Sequence, residues 1–187
     1  NMLKKINVKS QITSEVDEIT KAQKIILPGV GHFDRAMAKI SQSGLREILE
    51  QKALVEKVPI LGICLGMQLL TRSSEEGKLL GLGWIPAKTV RFRFPKESNL
   101  KIPHMGWNLV QRATLSALTE NFEPEQRFYF VHSYHAQVED EKYSILKTEH
   151  GYVFDSAIQN DNIFGVQFHP EKSHRFGMRL LENFAKM

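Results

Sequence analysis

The chain has 187 residues, of which 42% are hydrophobic and 25% charged, and this composition excludes collagen-like and disordered proteins. Its one cysteine, Cys64, excludes an internal disulfide, and its most apolar stretch, Val58–Leu70, is shorter than a membrane-spanning helix, so we expect a cytoplasmic protein. The net charge of +4 arises from scattered residues, so we expect neither a nucleic acid nor a membrane as a partner.

The first half of the chain alternates helices with short buried strands. Its predicted elements, in chain order, are a helix end at residues 1–6, a strand at Val8–Ile12, a helix at Glu15–Ala22, a strand at Lys24–Leu27, a helix at Asp34–Lys57 with a break near Gly44, a strand at Val58–Ile63 and a helix beginning at Gly66–Thr71. Strands that alternate with helices in this way are typical of a parallel α/β sheet.

The second half consists mainly of short β-branched or aromatic runs separated by turns. The predicted strands there are Thr89–Phe94, Asn108–Gln111, Arg127–Val131, Tyr143–Thr148, Val153–Ile158 and Ile163–Phe168. Many of them are expected to pair antiparallel, and an amphipathic helix follows at Arg175–Lys186. Since neither a linker nor a repeat interrupts the pattern, we expect one mixed α/β domain over residues 1–187.

The segment Gly62-Ile63-Cys64-Leu65-Gly66 carries the main chemical signal. It has the form of a nucleophile elbow, in which flanking glycines permit a tight strand-to-helix turn that presents the nucleophile. The N-terminus of the following helix would favour a thiolate at Cys64, and the Leu65 amide would be free to meet an oxyanion. A lone buried cysteine is more often structural, but this junction favours a catalytic one.

The segment Phe168-His169-Pro170-Glu171 supplies the base that a nucleophilic thiol needs. It follows the last predicted strand, and the proline keeps His169 extended, so we expect the imidazole at the sheet edge that carries the elbow. Glu171 is placed to hold one imidazole nitrogen and to fix the tautomer. Most single histidines are structural, but a thiol, a base and an acid at neighbouring strand ends favour catalysis.

The loop Pro28–Gly31 and three histidines, His104, His132 and His135, carry weaker signals. The glycines on both sides of Val30 allow the amides of the loop to approach an anion. His132 and His135 are three residues apart, and on one strand they would face opposite sides of the sheet. We therefore expect no metal site, and no cofactor.

Taken together, the segments Pro28–Gly31, Gly62–Gln68 and Gln167–Ser173 resemble the motifs of class I (triad-type) glutamine amidotransferases, which hydrolyse glutamine to glutamate and ammonia. Within that family, Pro103–Asn108 and Phe128–Tyr134 are similar to the glutaminase subunits of imidazole glycerol phosphate synthase, an enzyme of histidine biosynthesis. The resemblance covers nearly the whole chain.

The resemblance implies a doubly wound, mixed and mainly parallel sheet of the flavodoxin-like type, flanked by helices, with an additional small antiparallel sheet. The family begins with a buried strand that ends in a glycine-rich loop. Since Asn1 matches that loop or the helix after it, we expect the single domain to lack its first strand.

The resemblance also implies a role for each site residue. Cys64 would be the nucleophile, His169 the general base and acid, and Glu171 the group that orients the imidazole. The surrounding sets are an oxyanion hole of the Val30 and Leu65 amides, glutamine contacts at Gly29, Gly31, Gln68, His132, Ser133 and Tyr134, and a partner side with His104, Met105, Trp107, Asn108 and Lys172. The implied partner is a cyclase/synthase subunit of (β/α)₈-barrel type in a heterodimer, to which ammonia passes without entering bulk water.

Three other functions remain open on the sequence alone. Related glutaminases supply ammonia to sugar amidotransferases of bacterial surface-polysaccharide synthesis, and Arg91–Phe94 and Ser173–Met178 are compatible with that group too. A cysteine peptidase of similar fold would use the same thiol and imidazole, although Gln68 and His132–Tyr134 favour glutamine as the substrate. A catalytically inactive scaffold protein would have no need of an intact triad.

Overall fold

A branched, mixed sheet with helices on both faces dominates the structure, a computed structural model that describes residues 2–187. The helices are α1 (Met2–Lys5), α2 (Val16–Thr20), α3 (Phe33–Gln42), α4 (Leu45–Glu50), α5 (Leu65–Leu69) and α6 (His174–Lys186), with a π-helical turn at Gln51–Val55 and 3₁₀ turns at Ala117–Thr119, Glu141–Tyr143 and Pro170–Lys172. The strands are β1 (Ile25–Gly29), β2 (Ile60–Cys64), β3 (Ala87–Arg91), β4 (His104–Leu109), β5 (Gln111–Arg112), β6 (Arg127–His132), β7 (Tyr134–Val138), β8 (Ser144–His150), β9 (Tyr152–Asn160) and β10 (Ile163–Val166). None of the helices in this described part has the length and apolar character needed to cross a membrane.

The main sheet has the strand order β1-β2-β10-β9-β7-β3, with β8 paired to both β9 and β5. The strands β1, β2 and β10 run parallel, and the remaining pairings are antiparallel. Strands β4 and β6 form a separate antiparallel ribbon. The expected mixed sheet and small second sheet are both present, but less of the main sheet is parallel than expected, because short turns join β8, β9 and β10 and such turns only connect antiparallel strands.

Most predicted elements of the parallel region are confirmed with shifted ends. Lys24–Leu27 and Val58–Ile63 correspond to β1 and β2, and the predicted helix break is at Gly44, which adopts a left-handed conformation with φ of 69°. The helix expected at Glu15–Ala22 is the shorter α2, and the helix end expected at residues 1–6 is α1, with position 1 outside the described residues. The pattern of apolar residues therefore locates these elements well.

The strand predictions differ from the structure in three places. Val8–Ile12 has no regular structure, and its Ile12 is fully exposed, so a strand there would bury nothing. The strand expected at Asn108–Gln111 begins earlier, at His104, and is interrupted at Val110. Strand β7 was missed, since polar and aromatic side chains mask its alternation.

Two apolar clusters lie on opposite faces of the main sheet and hold helices against it. Along β2, Ile60 belongs to the cluster under α3, whereas Leu61 belongs to the cluster under α6. All five residues of β2 are buried, as expected for a strand covered on both faces. Each large side chain that is removed from water contributes about 1.5–3 kcal/mol, so these two clusters hold the strand ends that carry the site in place.

Candidate active site

Cys64 is the last residue of β2, and it lies in a tight turn into α5. Its backbone has φ of 55° and ψ of −110°, an uncommon conformation for a residue with a side chain. An added Cβ at Gly62 would come within 2.6 Å of the Gly66 carbonyl oxygen, and one at Gly66 would overlap the carbonyl oxygen of Leu27. The two glycines are therefore required by the close approach of α5 to β1 and β2. The turn expected from the sequence is present.

His169 follows β10, the strand that pairs in parallel with β2. Its backbone N–H donates to the Tyr129 carbonyl at 2.9 Å, and its carbonyl accepts from Ser173 Oγ at 2.6 Å. The neighbouring Phe168 is fully buried and stacks on Phe128 with a centroid distance of 3.8 Å. These contacts fix the imidazole at the edge of the sheet where β2 ends in Cys64.

Glu171 lies in the 3₁₀ turn after Pro170 and is 2.6 Å from His169 Nδ1 through its Oε1. Interaction with Cys64 and then with Glu171 raises the pKa of His169 to about 9. Burial raises the pKa of Glu171, but the hydrogen bond from His169 and further contacts outweigh it, so that this pKa is lowered. Within residues 2–187, His169 Nε2 makes no hydrogen bond of ordinary geometry, so its proton is available to a reacting group.

The loop after β1 begins directly beside the nucleophile, since Gly29 pairs with Cys64 in the register of β1 and β2. Val30 is 84% exposed, and Gly31 adopts φ of 112°. On the other side of Cys64, Leu65 begins α5 and is buried. Both segments that were expected to supply oxyanion amides thus flank the thiol.

Gln68 is buried and holds the active-site end of β7. Its Nε2 donates to the Tyr134 carbonyl at 3.4 Å and to Gln167 Oε1 at 3.2 Å. The adjoining residues Ser133 and His132 complete the expected glutamine-binding segment at the junction of β6 and β7. The structure therefore brings most of the predicted substrate residues together.

A chain of hydrogen bonds with fixed direction runs from the β4–β6 ribbon to this segment. His132 Nδ1 is 2.7 Å from the Tyr134 carbonyl, which only accepts, so Nδ1 carries the proton. His132 Nε2 then accepts from His104 Nδ1 at 2.9 Å when both rings are neutral. His104 Nε2 accepts in turn from Asn108 Nδ2 at 3.1 Å, and the same Nδ2 donates to the Glu149 carbonyl at 2.8 Å.

Burial keeps both of these imidazoles uncharged at neutral pH. Burial, with a smaller effect of the nearby His150, lowers the pKa of His104 to about 4. Burial likewise holds the pKa of His132 well below its usual value, although the hydrogen bond to Tyr134 opposes this. The tautomers that the hydrogen-bond chain requires are therefore those of two neutral rings.

The alternation of β4 divides the residues that were predicted to face a partner. Met105 and Trp107 are 62% and 47% exposed, whereas His104 is buried on the opposite face and Asn108 is bonded to it. His104 therefore faces away from the exposed side of β4, because successive residues of a strand face opposite sides, and its place along the ammonia passage stays a prediction. Lys172 is exposed, and its Nζ lies over the Tyr129 ring at 5.8 Å.

The predicted placement of His132 and His135 on one strand was wrong. They lie on different strands, β6 and β7, with Ser133 between them, so the alternation of a single strand does not apply. Both rings contact Phe92, at centroid distances of 5.3 and 4.6 Å. In residues 2–187 no group of three potential metal ligands is found.

Gln167 is a site residue that received no role in the sequence analysis. Its side chain is fully buried, and its Nε2 donates to Cys64 Sγ at 3.7 Å. The alternation of side chains along an extended segment could have identified it. In such a segment Gln167 shares a face with His169, while Phe168 points to the core.

The buried histidines lead to a prediction about stability. We expect the free energy of unfolding to fall as the pH is lowered from 6.5 to about 4, because the unfolded chain binds protons that the folded chain excludes from His104. His169 has the opposite sign: its raised pKa stabilises the fold at low pH, and this contribution is lost as the pH rises through about 9. Urea unfolding midpoints across this range measure both effects.

The matched variants for this measurement are His104→Gln and His174→Gln. The first should make the acid loss shallower, and the second, at an exposed position, should leave it unchanged. An acid slope that is equally steep in the His104 variant would contradict the assignment.

The fold and this thiol–imidazole–carboxylate arrangement are those of a glutamine amidotransferase. Residues 2–187 match the family described as "Glutamine amidotransferase class-I", and the chain belongs to that family. A relative from Methanococcus maripaludis, named "Imidazole glycerol phosphate synthase subunit HisH 2", is 54% identical over 186 residues, which cover 100% of this chain and 91% of the relative. Subunit HisH of the same synthase from Bdellovibrio bacteriovorus is 47% identical over 188 residues, covering 100% and 92%.

Solved structures show the same fold at lower identity. A putative GMP synthase subunit from Thermoplasma acidophilum superposes with a TM-score of 0.72 at 19% identity, over 99% of this chain and 83% of that chain. The family match confirms the predicted glutamine amidotransferase. The relatives confirm the resemblance to glutaminase subunits of imidazole glycerol phosphate synthase and do not favour the surface-sugar alternative.

Proposed function

We propose that the chain is the glutaminase subunit of an imidazole glycerol phosphate synthase and works in the cytoplasm. The observation that supports this most directly is the placement of Cys64 and His169 at the ends of two adjacent parallel strands, with Glu171 bonded to the imidazole. Thiol, base and orienting acid are the groups that acyl transfer from an amide requires.

In the proposed reaction, the Cys64 thiolate attacks the side-chain amide carbon of glutamine. The Val30 and Leu65 amides receive the oxyanion of the tetrahedral intermediate. His169 Nε2–H protonates the departing nitrogen, which leaves as ammonia, and a γ-glutamyl thioester remains on Cys64. His169 then takes a proton from water, whose oxygen attacks the thioester and releases glutamate and the free thiol.

The proposed glutamine site lies between the loop after β1 and the junction of β6 and β7. Gly29 and Gly31 would contribute backbone groups, and Gln68 would contribute its side chain. The segment His132–Tyr134 would hold the substrate from the other side. The fixed hydrogen bonds on the Tyr134 carbonyl support this role, since they organise the segment before glutamine arrives.

The proposed partner is a (β/α)₈-barrel synthase subunit that forms a heterodimer with this chain. It would use the ammonia to make imidazole glycerol phosphate and the carboxamide ribonucleotide AICAR. The exposed apolar residues Met105 and Trp107 on β4, with the exposed Lys172 nearby, support a docking role for this side. Ammonia would pass between the two active sites within that contact.

We expect the isolated chain to hydrolyse glutamine about 10²–10³-fold more slowly than the complex loaded with its acceptor. The reason is the exposed Val30 peptide between two glycines, which can rotate to place either its carbonyl or its amide beside Cys64. A partner that binds only the state with the amide beside Cys64 shifts the population toward that state.

The test is steady-state release of glutamate by the chain alone, with the barrel subunit, and with the barrel subunit plus acceptor. Full activity of the isolated chain would refute the control of activity by rotation of the Val30 peptide. Stimulation by the histidine-pathway ribonucleotide supports the proposed synthase. Stimulation by an activated sugar with a sugar amidotransferase would instead establish the other pathway.

A second prediction concerns Glu171→Gln, which should lower kcat about 10–100-fold, less than loss of the nucleophile does. The amide can still accept the Nδ1 proton but cannot stabilise the imidazolium. Because Glu171 helps to raise the pKa of His169, the basic limb of the pH profile should move to lower pH. These apparent values belong to the Cys64–His169 pair.

The matched control is Glu125→Gln, which removes an exposed carboxylate that is 3.0 Å from Arg127. It should leave both kcat and the pH profile unchanged. A silent Glu171 variant would mean that another group orients the imidazole.

A further inference from the structure

Cys64 Sγ has a second polar neighbour besides the imidazole. Gln167, two residues before His169, places its Nε2 at 3.7 Å from the sulfur, and its side chain is fully buried. Its backbone N–H donates to the Ser156 carbonyl at 2.9 Å, which fixes the segment beside β9. The amide is therefore held against the nucleophile rather than free to turn into solvent.

The orientation of this amide is determined by a backbone group. Gln68 Nε2 faces the Tyr134 carbonyl, which only accepts, so this atom of Gln68 is the nitrogen. The same nitrogen is 3.2 Å from Gln167, so the Gln167 atom facing it is the acceptor, Oε1. The N–H₂ of Gln167 must then be the group that faces Cys64.

An N–H donor stabilises the two protonation states of a thiol to different extents. A thiolate is a strong acceptor and a neutral thiol a weak one, so a fixed amide donor stabilises the thiolate selectively. Unlike His169, an amide neither gains nor loses a proton at neutral pH. It therefore remains a donor after the imidazole has lost its proton.

We propose that Gln167 is a positioning residue that directs the Cys64 thiolate and that Gln68 holds in its donor orientation. The proposal rests on the proposed glutaminase function and adds a connection between its substrate contact and its nucleophile. Gln68, the expected glutamine contact, is bonded to the residue that holds the sulfur, so substrate contact and nucleophile geometry share one hydrogen-bonded unit.

Two imidazoles approach this unit from the elements packed around it. His169, with Glu171 behind it, approaches the sulfur from the segment after β10. From β6, His132 reaches the unit through the Tyr134 carbonyl and is uncharged. A change at Gln167 should therefore appear in the titration of the Cys64–His169 pair.

The experiment is alkylation of the full chain with iodoacetamide across a range of pH. Since Cys64 is the one cysteine, every alkylated molecule reports this thiol, and the rate follows the thiolate fraction. In Gln167→Met, which keeps the volume and removes the donor, the midpoint of the profile should rise by about one pH unit. In Gln167→Glu, which can still accept from Gln68, it should rise further.

The control is Gln126→Met, which removes another buried amide at the far end of β6. It should leave the alkylation midpoint unchanged. With the complex, Gln167→Met should lower kcat about tenfold and change KM less, since Gln68 keeps its hydrogen bond to the Tyr134 carbonyl.

Midpoints equal to that of the wild type in both Gln167 variants would overturn the proposal, whatever their thermal stability. An equal shift in the Gln126 control would also overturn it, as a general effect of lost buried amides. Alkylation needs no glutamine, so this failure is distinguishable from failure of the proposed function, which would show as absence of glutamate release by the wild-type complex.

Discussion

Replacement of Cys64 by alanine is expected to reduce glutamine hydrolysis by the complex by at least about 10³-fold while the fold is retained. The chain has one cysteine, so no second thiol can take over. The side chain is small and the backbone already adopts φ of 55°, which alanine tolerates no worse than cysteine, so little stability is lost. The melting temperature should stay within a few degrees of the wild type.

The same variant separates the two halves of the proposed reaction. Complexed with the proposed barrel subunit, Cys64→Ala should still support synthesis when ammonium salt replaces glutamine, because the proposal assigns the acceptor chemistry to that partner. Glutamate release and product formation are measured in parallel. Glutamate release near the wild-type rate would show that Cys64 is not the nucleophile.

Gly66→Ala is expected to have the second largest effect, through the backbone alone. The new Cβ would overlap the carbonyl oxygen of Leu27, and neither group can move without shifting α5 away from β1. We expect a loss of about 3 kcal/mol in the free energy of unfolding and a fall in kcat of more than about 10²-fold. The activity falls because α5 carries both the Leu65 amide and Gln68.

The control for this change is Gly44→Ala, at the break between α3 and α4. A Cβ there would have no atom within 4 Å, so the cost is only that of φ at 69°, about 1–2 kcal/mol. Its kcat should match that of the wild type. If Gly66→Ala unfolds no more readily than Gly44→Ala, the close approach of α5 to β1 is not what requires glycine.

Local sequence was sufficient for the nucleophile turn and for the imidazole segment. Glycines at positions 62 and 66 permit the tight turn, and the proline after His169 restricts the backbone before it; both signals can be recognised without knowing the fold. The parallel strands were predictable for a similar reason, since burial on both faces makes β2 apolar throughout.

Features that depend on long-range pairing were not predictable in this way. The division of β6 from β7 at Ser133 places His132 and His135 on separate strands, and only the register with β4 and β9 shows this. The burial of His104 depends on which face of β4 meets the rest of the protein. The role proposed for Gln167 depends on a contact with Gln68, 99 positions away in the chain.

The pairing of β2 with β10 has a consequence for how such an enzyme can change. Ile60 pairs with Ile163 and Ile63 with Val166, so a ladder of backbone hydrogen bonds fixes the two strand ends beyond which the thiol and the imidazole lie. Moving these strand ends apart would require breaking hydrogen bonds between two neighbouring strands of the main sheet. Changes at the exposed Met105 and Trp107 of the β4–β6 ribbon, or at the exposed Val30, are therefore compatible with an unchanged spacing of these two strand ends.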